Sequence, residues 1–315
     1  MTILFALFAC GTGDDDDGDG SASGDERGEP SEAVDLLFVV DNSDSMQDNV
    51  GAFALAADVL FDAIPDLRAA ITTVTVDYTA DGNTSVDPGE AGLLAGDPTA
   101  SVDEFRTTLL CEVANFKEDL VISDAAYDDS AGCPTPEAEV SQEYLDCVCG
   151  VGGWGEHTGS GNEEGLEAVL LTACRSAEEP PETCYDEDSP FAEADEGTVS
   201  FWEGDARPFV LLLTDEGDNS RRGQSADASP APYVEDLRDV GLEPAVAILA
   251  PPYPLDEDGV RYGDCLDGAQ PWAVERYQAF AKAFSGVYVP LTETDYPDCS
   301  ARDFSDLVED AIGAL

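Results

Sequence analysis

Positive charge is what this sequence has least of. Its 315 residues carry 13 Lys and Arg against 69 Asp and Glu, a formal net charge of −56 at pH 7. A surface of that sign repels nucleic acid and anionic membranes, and it draws cations and basic partners. The excess itself reads as a solvated acidic surface suited to salty surroundings, where like-charge repulsion is screened. Histidine is reduced to His157 alone, read here as a structural or exposed loop residue. A single histidine and the lack of a G-x-S-x-G elbow argue against a Ser–His–Asp hydrolase. No CxxC pair occurs, so zinc is the weaker reading of the neighbours Cys147 and Cys149. There is no Walker loop to cradle a phosphate, and no run approaches the ~18 apolar residues that span a membrane.

What is present is enough for a substantial core: 43 % of the residues are hydrophobic. The length fits one large domain with insertions, or a domain with a tether. Cys10 stands apart from eight further cysteines, Cys111, Cys133, Cys147, Cys149, Cys174, Cys184, Cys265 and Cys299. An even set in an exported chain reads as disulfides. Cys174 with Cys184 and Cys265 with Cys299 are the favoured local pairs, leaving the other four to join one another.

The first ten residues are apolar, and Leu7-Phe8-Ala9-Cys10 resembles a bacterial lipobox, in which Cys10 would carry the lipid. The segment is short and has no basic start, which departs from a full signal peptide. Residues 11–31 are Gly, Asp, Ser and Glu with almost nothing apolar, the composition of a disordered acidic tether. The Asp14–Asp17 run is part of that spacer. The expectation is a domain at a bacterial cell envelope, lipid-anchored at the outer membrane or cell surface, or extracellular, that touches a membrane only through its lipid.

From residue 32 onward, apolar runs alternate with amphipathic stretches. Leu36 to Val40 and Phe209 to Leu213 are continuous apolar runs, as expected of strands buried on both faces of a parallel sheet. Residues 70–78, 245–249 and 286–290 predict further strands. Helices are expected from Asp44 or Ser45 to about Ile64, over 101–116, from Gly165, over 233–240, over 272–285 and from Phe304 to the end. Asp77 to Thr99 reads as an extended hairpin or loop, and residues of about 117–157 as an irregular, cysteine-stapled insertion. A second insertion covers about 175–200. The pattern is that of an α/β fold, a doubly wound, mostly parallel sheet flanked by helices in three layers.

Two of the buried runs end in carboxylates. The first runs into Asp41-Asn42-Ser43-Asp44-Ser45, where one carboxylate and two hydroxyls alternate and can converge. Open α/β sheets place ligands at such strand ends, and hard oxygen donors suit Mg²⁺ or Ca²⁺. Asp41-x-Ser43-x-Ser45 resembles the D-x-S-x-S signature of von Willebrand factor A domains. A second loop of that family resembles Ser160-Gly-Asn-Glu-Glu-Gly165-Leu166, with Ser160 in the place of the usual Thr and Thr158 as its rival. The third matches Asp215 after Leu213-Thr214, with Glu216 where many members have Gly. The three loops follow in order, and the resemblance covers most of residues 32–315.

The resemblance implies a metal-ion-dependent adhesion site rather than turnover. Ser43 and Ser45 would bind Mg²⁺ (or Ca²⁺ or Mn²⁺) directly. Asp41, Asp215 and Ser160 would bind directly or through water, with Glu216 as an outlying carboxylate. A carboxylate of a protein partner would fill the open position. Each residue also has a plainer duty: Asp41 and Ser43 could cap a helix, Asp215 could close a turn, and Glu163 and Glu164 read as a solvated first helical turn. The three tryptophans, Trp154, Trp202 and Trp272, read as packing. An acid-dehalogenase-like phosphatase also uses a strand-end aspartate, but it needs a second one where Ser43 stands. A metal-dependent hydrolase, or a structural envelope protein with a vestigial site, is therefore the alternative to a non-enzymatic binding module.

Overall fold

The structure is a computed structural model that describes residues 33–76, 92–116, 133–136, 139–154, 163–185, 196–202, 205–220, 229–251, 271–292 and 302–315. The lipobox-like segment with Cys10, the acidic tether, Thr158, Ser160, His157, Cys265 and Cys299 lie outside these residues.

The strand β1 (Val34–Val40) is buried along its whole length, because it pairs on both edges and is covered on both faces. It is parallel to β2 (Leu67–Thr73) on one side and to β4 (Arg207–Leu213) on the other, with Val40 level with Thr73 and Leu213. β5 (Ala245–Ala250) and β6 (Val287–Pro290) continue the parallel sheet. β3 (Ala95–Thr99) is an antiparallel edge strand, giving the order β3-β2-β1-β4-β5-β6. The carboxyl ends of β1 and β4 are thus adjacent at the middle of the sheet.

Side chains of a strand alternate between faces, so β1 feeds two cores. Leu36, Phe38 and Val40 pack with α1 (Gln47–Ala63), α2 (Val102–Thr108) and α7 (Phe304–Ile312). Phe38 stacks on Phe53 of α1 with centroids 4.3 Å apart, and Phe53 meets Phe304 of α7 edge-on. Leu37 and Val39 pack with α4 (Gly165–Ser176), α5 (Ala231–Asp239) and α6 (Pro271–Ala283). α4 is buried from Gly165 through Arg175. With α3 (Gln142–Cys149) there are seven α-helices among the described residues.

Several boundaries differ from those expected. β2 begins at Leu67 and ends at Thr73, earlier than the run 70–78 suggested, because its pairing is fixed residue by residue to β1. Leu93-Leu94 lead into β3 rather than lying in a simple loop. Neither Asp44 nor Ser45 caps α1: residues Asp44–Met46 form a 3-10 turn, and α1 begins at Gln47 without a side-chain cap. Ser101 does cap α2, accepting from the Glu104 backbone N–H at 3.3 Å, but the helix then widens into a π turn at Leu109–Val113. The insertion read as irregular contains α3, whose start is fixed by Ser141 accepting from the Tyr144 N–H. Tyr144 and Leu145 are its buried contribution to the first core.

Three disulfides join Cys111 to Cys149, Cys133 to Cys147, and Cys174 to Cys184. The last is the expected local pair, and the first two keep the other four cysteines among themselves. Such bonds persist in an oxidising compartment. Among the described residues no helix is long and apolar enough to cross a membrane. Peptide mapping without reduction should recover these three linked pairs from protein made in an oxidising compartment, with Cys265 joined to Cys299. Free thiols at Cys111 or Cys149 would contradict the fold, because that bond pins the end of α3 to the π turn.

Candidate functional site

β1 and β4 stop at the same level, and the Asp41 N–H extends their ladder by one bond, to the Leu213 carbonyl at 2.9 Å. This brings the Asp41 side chain into the sheet end, where it is fully buried. Asp41 Oδ1 accepts from the Ser43 N–H at 2.8 Å, and Oδ2 accepts from Thr214 Oγ1 at 2.8 Å. The first bond turns the chain so that Ser43 Oγ lies 3.1 Å from Ser45 Oγ. Ser45 Oγ in turn donates to Asp215 Oδ1 at 3.2 Å. Asp41, Ser43, Ser45 and Asp215 are therefore brought together; alternation suggested the first three, and the family resemblance alone added Asp215. Ser45 is exposed and Ser43 half-buried, so the hydroxyls face solvent while Asp41 lies beneath them.

The helix-capping duty considered for Ser43 is not what it does: its side chain caps nothing. Thr214, given no role of its own in the sequence, holds two loops at once, donating to Asp41 and accepting from the Glu216 N–H at 3.1 Å. Behind Asp41, Asn42 accepts from Thr75 Oγ1 at 3.1 Å, which ties the first loop to the end of β2.

The segment entering α4 is fixed with equal care. The Glu164 N–H donates to the Val74 carbonyl at 2.9 Å, and the Asn219 N–H donates to the Glu163 carbonyl at 2.7 Å. Gly165 opens α4, and the position needs glycine because a Cβ there would run into Tyr277 and Leu212. Asp218 Oδ1 accepts from the Leu166 N–H at 3.2 Å, and Ser220 Oγ accepts from the Glu167 N–H at 3.0 Å. Asp218 is itself ion-paired with Arg276 of α6 at 3.2 Å, inside the protein. Arg276 also donates to the Ser220 carbonyl and lies over the Tyr233 ring.

Glu163 and Glu164 are not a solvated helical turn: Glu163 is 0 % exposed and Glu164 2 % exposed. Neither carboxylate oxygen of Glu163 has a hydrogen-bond partner. The Glu216 carboxylate acts on it electrostatically, without meeting hydrogen-bond geometry. Polarity gave no signal of this burial, which follows from α4 being buried from Gly165 through Arg175.

The electrostatics follow from this burial. Asp41 is pushed up to about 6, chiefly by burial, against the pull of its bonds from Ser43 and Thr214. Asp215 is pushed up to about 7 by burial and then by the charge of Asp41. Burial, with Asp41 and Glu216 adding to it, holds Glu163 far above the ordinary carboxylate range. Glu216 thus acts as an outlying carboxylate on all three. Among the described residues no lysine or arginine forms an ion pair with Asp41, Glu163 or Asp215. A cation is the chemical group that such mutually repelling carboxylates fit.

Among the described residues, no three His, Cys, Asp or Glu form a group that could hold an ion by themselves. A divalent ion here would need the Ser43 and Ser45 hydroxyls as well as the aspartates. Both oxygens of Asp41 keep a lone pair beyond the bonds they already accept. Away from this site, the Trp154 indole donates to Asp146 and Trp202 packs on Phe201; the Trp272 side chain lies outside the described set.

No known family's sequence profile and no curated protein match this chain. Among solved structures, it is similar to proximal thread matrix protein 1 from the mussel byssus, with a TM-score of 0.38 and 12 % identity. The match covers 90 % of this chain, which spans about half of that protein, 47 %.

Proposed function

We propose that this chain is a non-enzymatic binding module of the von Willebrand factor A kind, with a doubly wound sheet, using a divalent cation to bind a carboxylate of a protein partner. The observation that carries this reading is the convergence of Asp41, Ser43, Ser45 and Asp215 through a chain of hydrogen bonds at two adjacent strand ends. The serine hydroxyls hold Mg²⁺, Ca²⁺ or Mn²⁺ directly, and Asp41 and Asp215 hold it directly or through water. Ser160, or its rival Thr158, both outside the described residues, would add a further hydroxyl. Such an ion stays electrophilic toward an incoming carboxylate, because neutral hydroxyls take up part of its shell. Lipid on Cys10 and the acidic tether would present the module at a bacterial envelope, consistent with its disulfides.

Isothermal titration of Mg²⁺, Mn²⁺ and Ca²⁺ into wild type and Asp41→Ala tests the ion site. The acidic surface binds cations diffusely, so the comparison belongs at about 0.5 M KCl, where screening suppresses that background. One saturable site in the wild type that is absent from Asp41→Ala is expected; identical isotherms would refute the site. Capture of an envelope protein in Mg²⁺, its release by EDTA and its loss in Ser43→Ala would support the partner reading. Metal-dependent ester or phosphate hydrolysis abolished by Asp41→Asn would replace it with the hydrolase.

A further inference from the structure

At the opposite end of the sheet, where β4 starts at Arg207 and β5 at Ala245, two guanidinium groups line one cavity. Its volume is about 340 Å³, within the range of small-ligand sites. The 7 residues of β4, roughly 20 Å of strand, separate it from Asp215 and its neighbours. Arg238, in the last turn of α5, reaches across to the end of α6. There it donates to the Ala283 carbonyl at 3.4 Å and lies over the Phe284 ring.

Free guanidinium groups are scarce in a chain with 69 Asp and Glu against 13 Lys and Arg. Arg68, Arg106, Arg276 and Arg302 each hold a carboxylate. Half-buried Arg207 forms no ion pair among the described residues; its Nη1 donates to the Leu315 carbonyl. That bond uses one of the five N–H groups a guanidinium carries. Arg238 meets Glu243 at 3.3 Å, but both side chains reach solvent, so the pair is weak and open to exchange. Ser285, also in the cavity wall, follows α6 with a φ of 56°, where glycine would be unstrained. A side chain is kept at that position in spite of the strain, which points to a use for its hydroxyl.

We propose that this cavity is a second binding site, for a small monocarboxylate with a short apolar body, held by Arg207, Arg238 and the Ser285 hydroxyl. Guanidinium forks match a carboxylate in shape as well as in charge. The negative ends of α5 and α6, with Glu243 in the wall, penalise a doubly charged anion more than a singly charged one. Pro244, Ala245 and Phe284 supply the apolar wall for the rest of the ligand. The site owes nothing to a divalent cation, so it stands or falls separately from the strand-end site.

The test uses benzoate as probe, with its neutral isostere benzamide and inorganic phosphate as comparisons. Each is titrated calorimetrically at about 0.15 M KCl, which screens the acidic surface beyond about 8 Å. The proteins are wild type, Arg207→Met, Arg238→Met, Ser285→Gly and Asp41→Ala, with a thermal melt of each. Wild type is expected to bind benzoate at one saturable site, at least about 10-fold more tightly than benzamide or phosphate, since charged hydrogen bonds carry the difference. Each arginine variant should lose about 10–100-fold in benzoate affinity, and Ser285→Gly about 2–10-fold. Ser285→Gly should melt no lower than wild type, because it relieves the backbone. Asp41→Ala should bind benzoate as wild type does. Absence of saturable benzoate binding, or affinity unchanged in both arginine variants, would overturn the site. Phosphate bound more tightly than benzoate would overturn the monocarboxylate, and benzamide bound equally well would overturn recognition by charge. If Arg207→Met melts well below wild type through loss of its Leu315 bond, Arg238→Met decides, since its side chain reaches solvent.

Discussion

Arg276→Met is expected to destabilise the domain by about 3–5 kcal/mol, the cost of breaking a buried ion pair by removing one partner. Arg276 is 5 % exposed and Asp218 is 0 % exposed. Burial already raises Asp218, and the Arg276 charge is the main force pulling it back. Without the guanidinium, Asp218 must either stay charged in an apolar interior or take up a proton. Met fills the space of the stem, so packing over Tyr233 is largely kept and the loss reports the charge. The same residues join α6 to both loops beside the site, since Asp218 and Ser220 hold the start of α4 and Arg276 holds the Ser220 carbonyl. Cation affinity should therefore fall together with stability. Urea unfolding of the single variant, of Asp218→Asn and of the double variant checks this. Asp218→Asn keeps an acceptor for the Leu166 N–H, so the double variant should recover at least half of the loss. Equal stability of Arg276→Met and wild type would mean that the pair holds nothing together.

The residues that could be found in the sequence are those whose position is set by a local pattern. Leu36 to Val40 and Phe209 to Leu213 are uninterrupted apolar runs, and both are central strands buried as the pattern implies. Asp41 and Asp215 end those runs, but only the resemblance of their loops to a known family joined them in the sequence; it is the pairing of β1 with β4 that sets their strand ends side by side. The two serines follow from alternation within one short loop. What escaped depends on contacts between distant segments. Glu163 looks like any acidic first helical turn until α4 is placed in the interior. Asp218 and Arg276 meet only because α6 packs beside the loop after β4 that holds the start of α4. β3 pairs by only a few residues at an edge, and its sequence Ala-Gly-Asp-Pro-Thr has almost no strand propensity. α3 is short and lies among cysteines and turn residues, so its two buried side chains leave no periodic stripe to read.

The cation-free domain is expected to lose stability as the pH rises from about 5 to 8, the reverse of ordinary acid unfolding. Asp41 and Asp215 have an ordinary value of 3.8 and are held at about 6 and about 7 in the folded protein. Both values are raised, so the folded state binds more protons than the unfolded chain between about pH 4 and 7. The stability this lends is complete below the ordinary value and is lost as the pH rises through the folded values. Each group contributes up to about 1.4 kcal/mol per pH unit inside its own window, so a loss of a few kcal/mol between pH 5 and 8 is expected. Glu163, raised for the same reasons, extends the fall to still higher pH. A divalent cation needs the deprotonated aspartates and so competes with protons. Added Ca²⁺ should then restore the stability at pH 8 and do little at pH 5. Urea midpoints across this range at about 0.5 M KCl, with and without Ca²⁺, give both curves while screening the diffuse acidic surface. Asp215→Asn should flatten the cation-free curve and remove much of the Ca²⁺ effect. A cation-free curve flat from pH 5 to 8 would deny the mutual repulsion of these carboxylates. Stabilisation by Ca²⁺ as large at pH 5 as at pH 8 would place the ion elsewhere on the acidic surface.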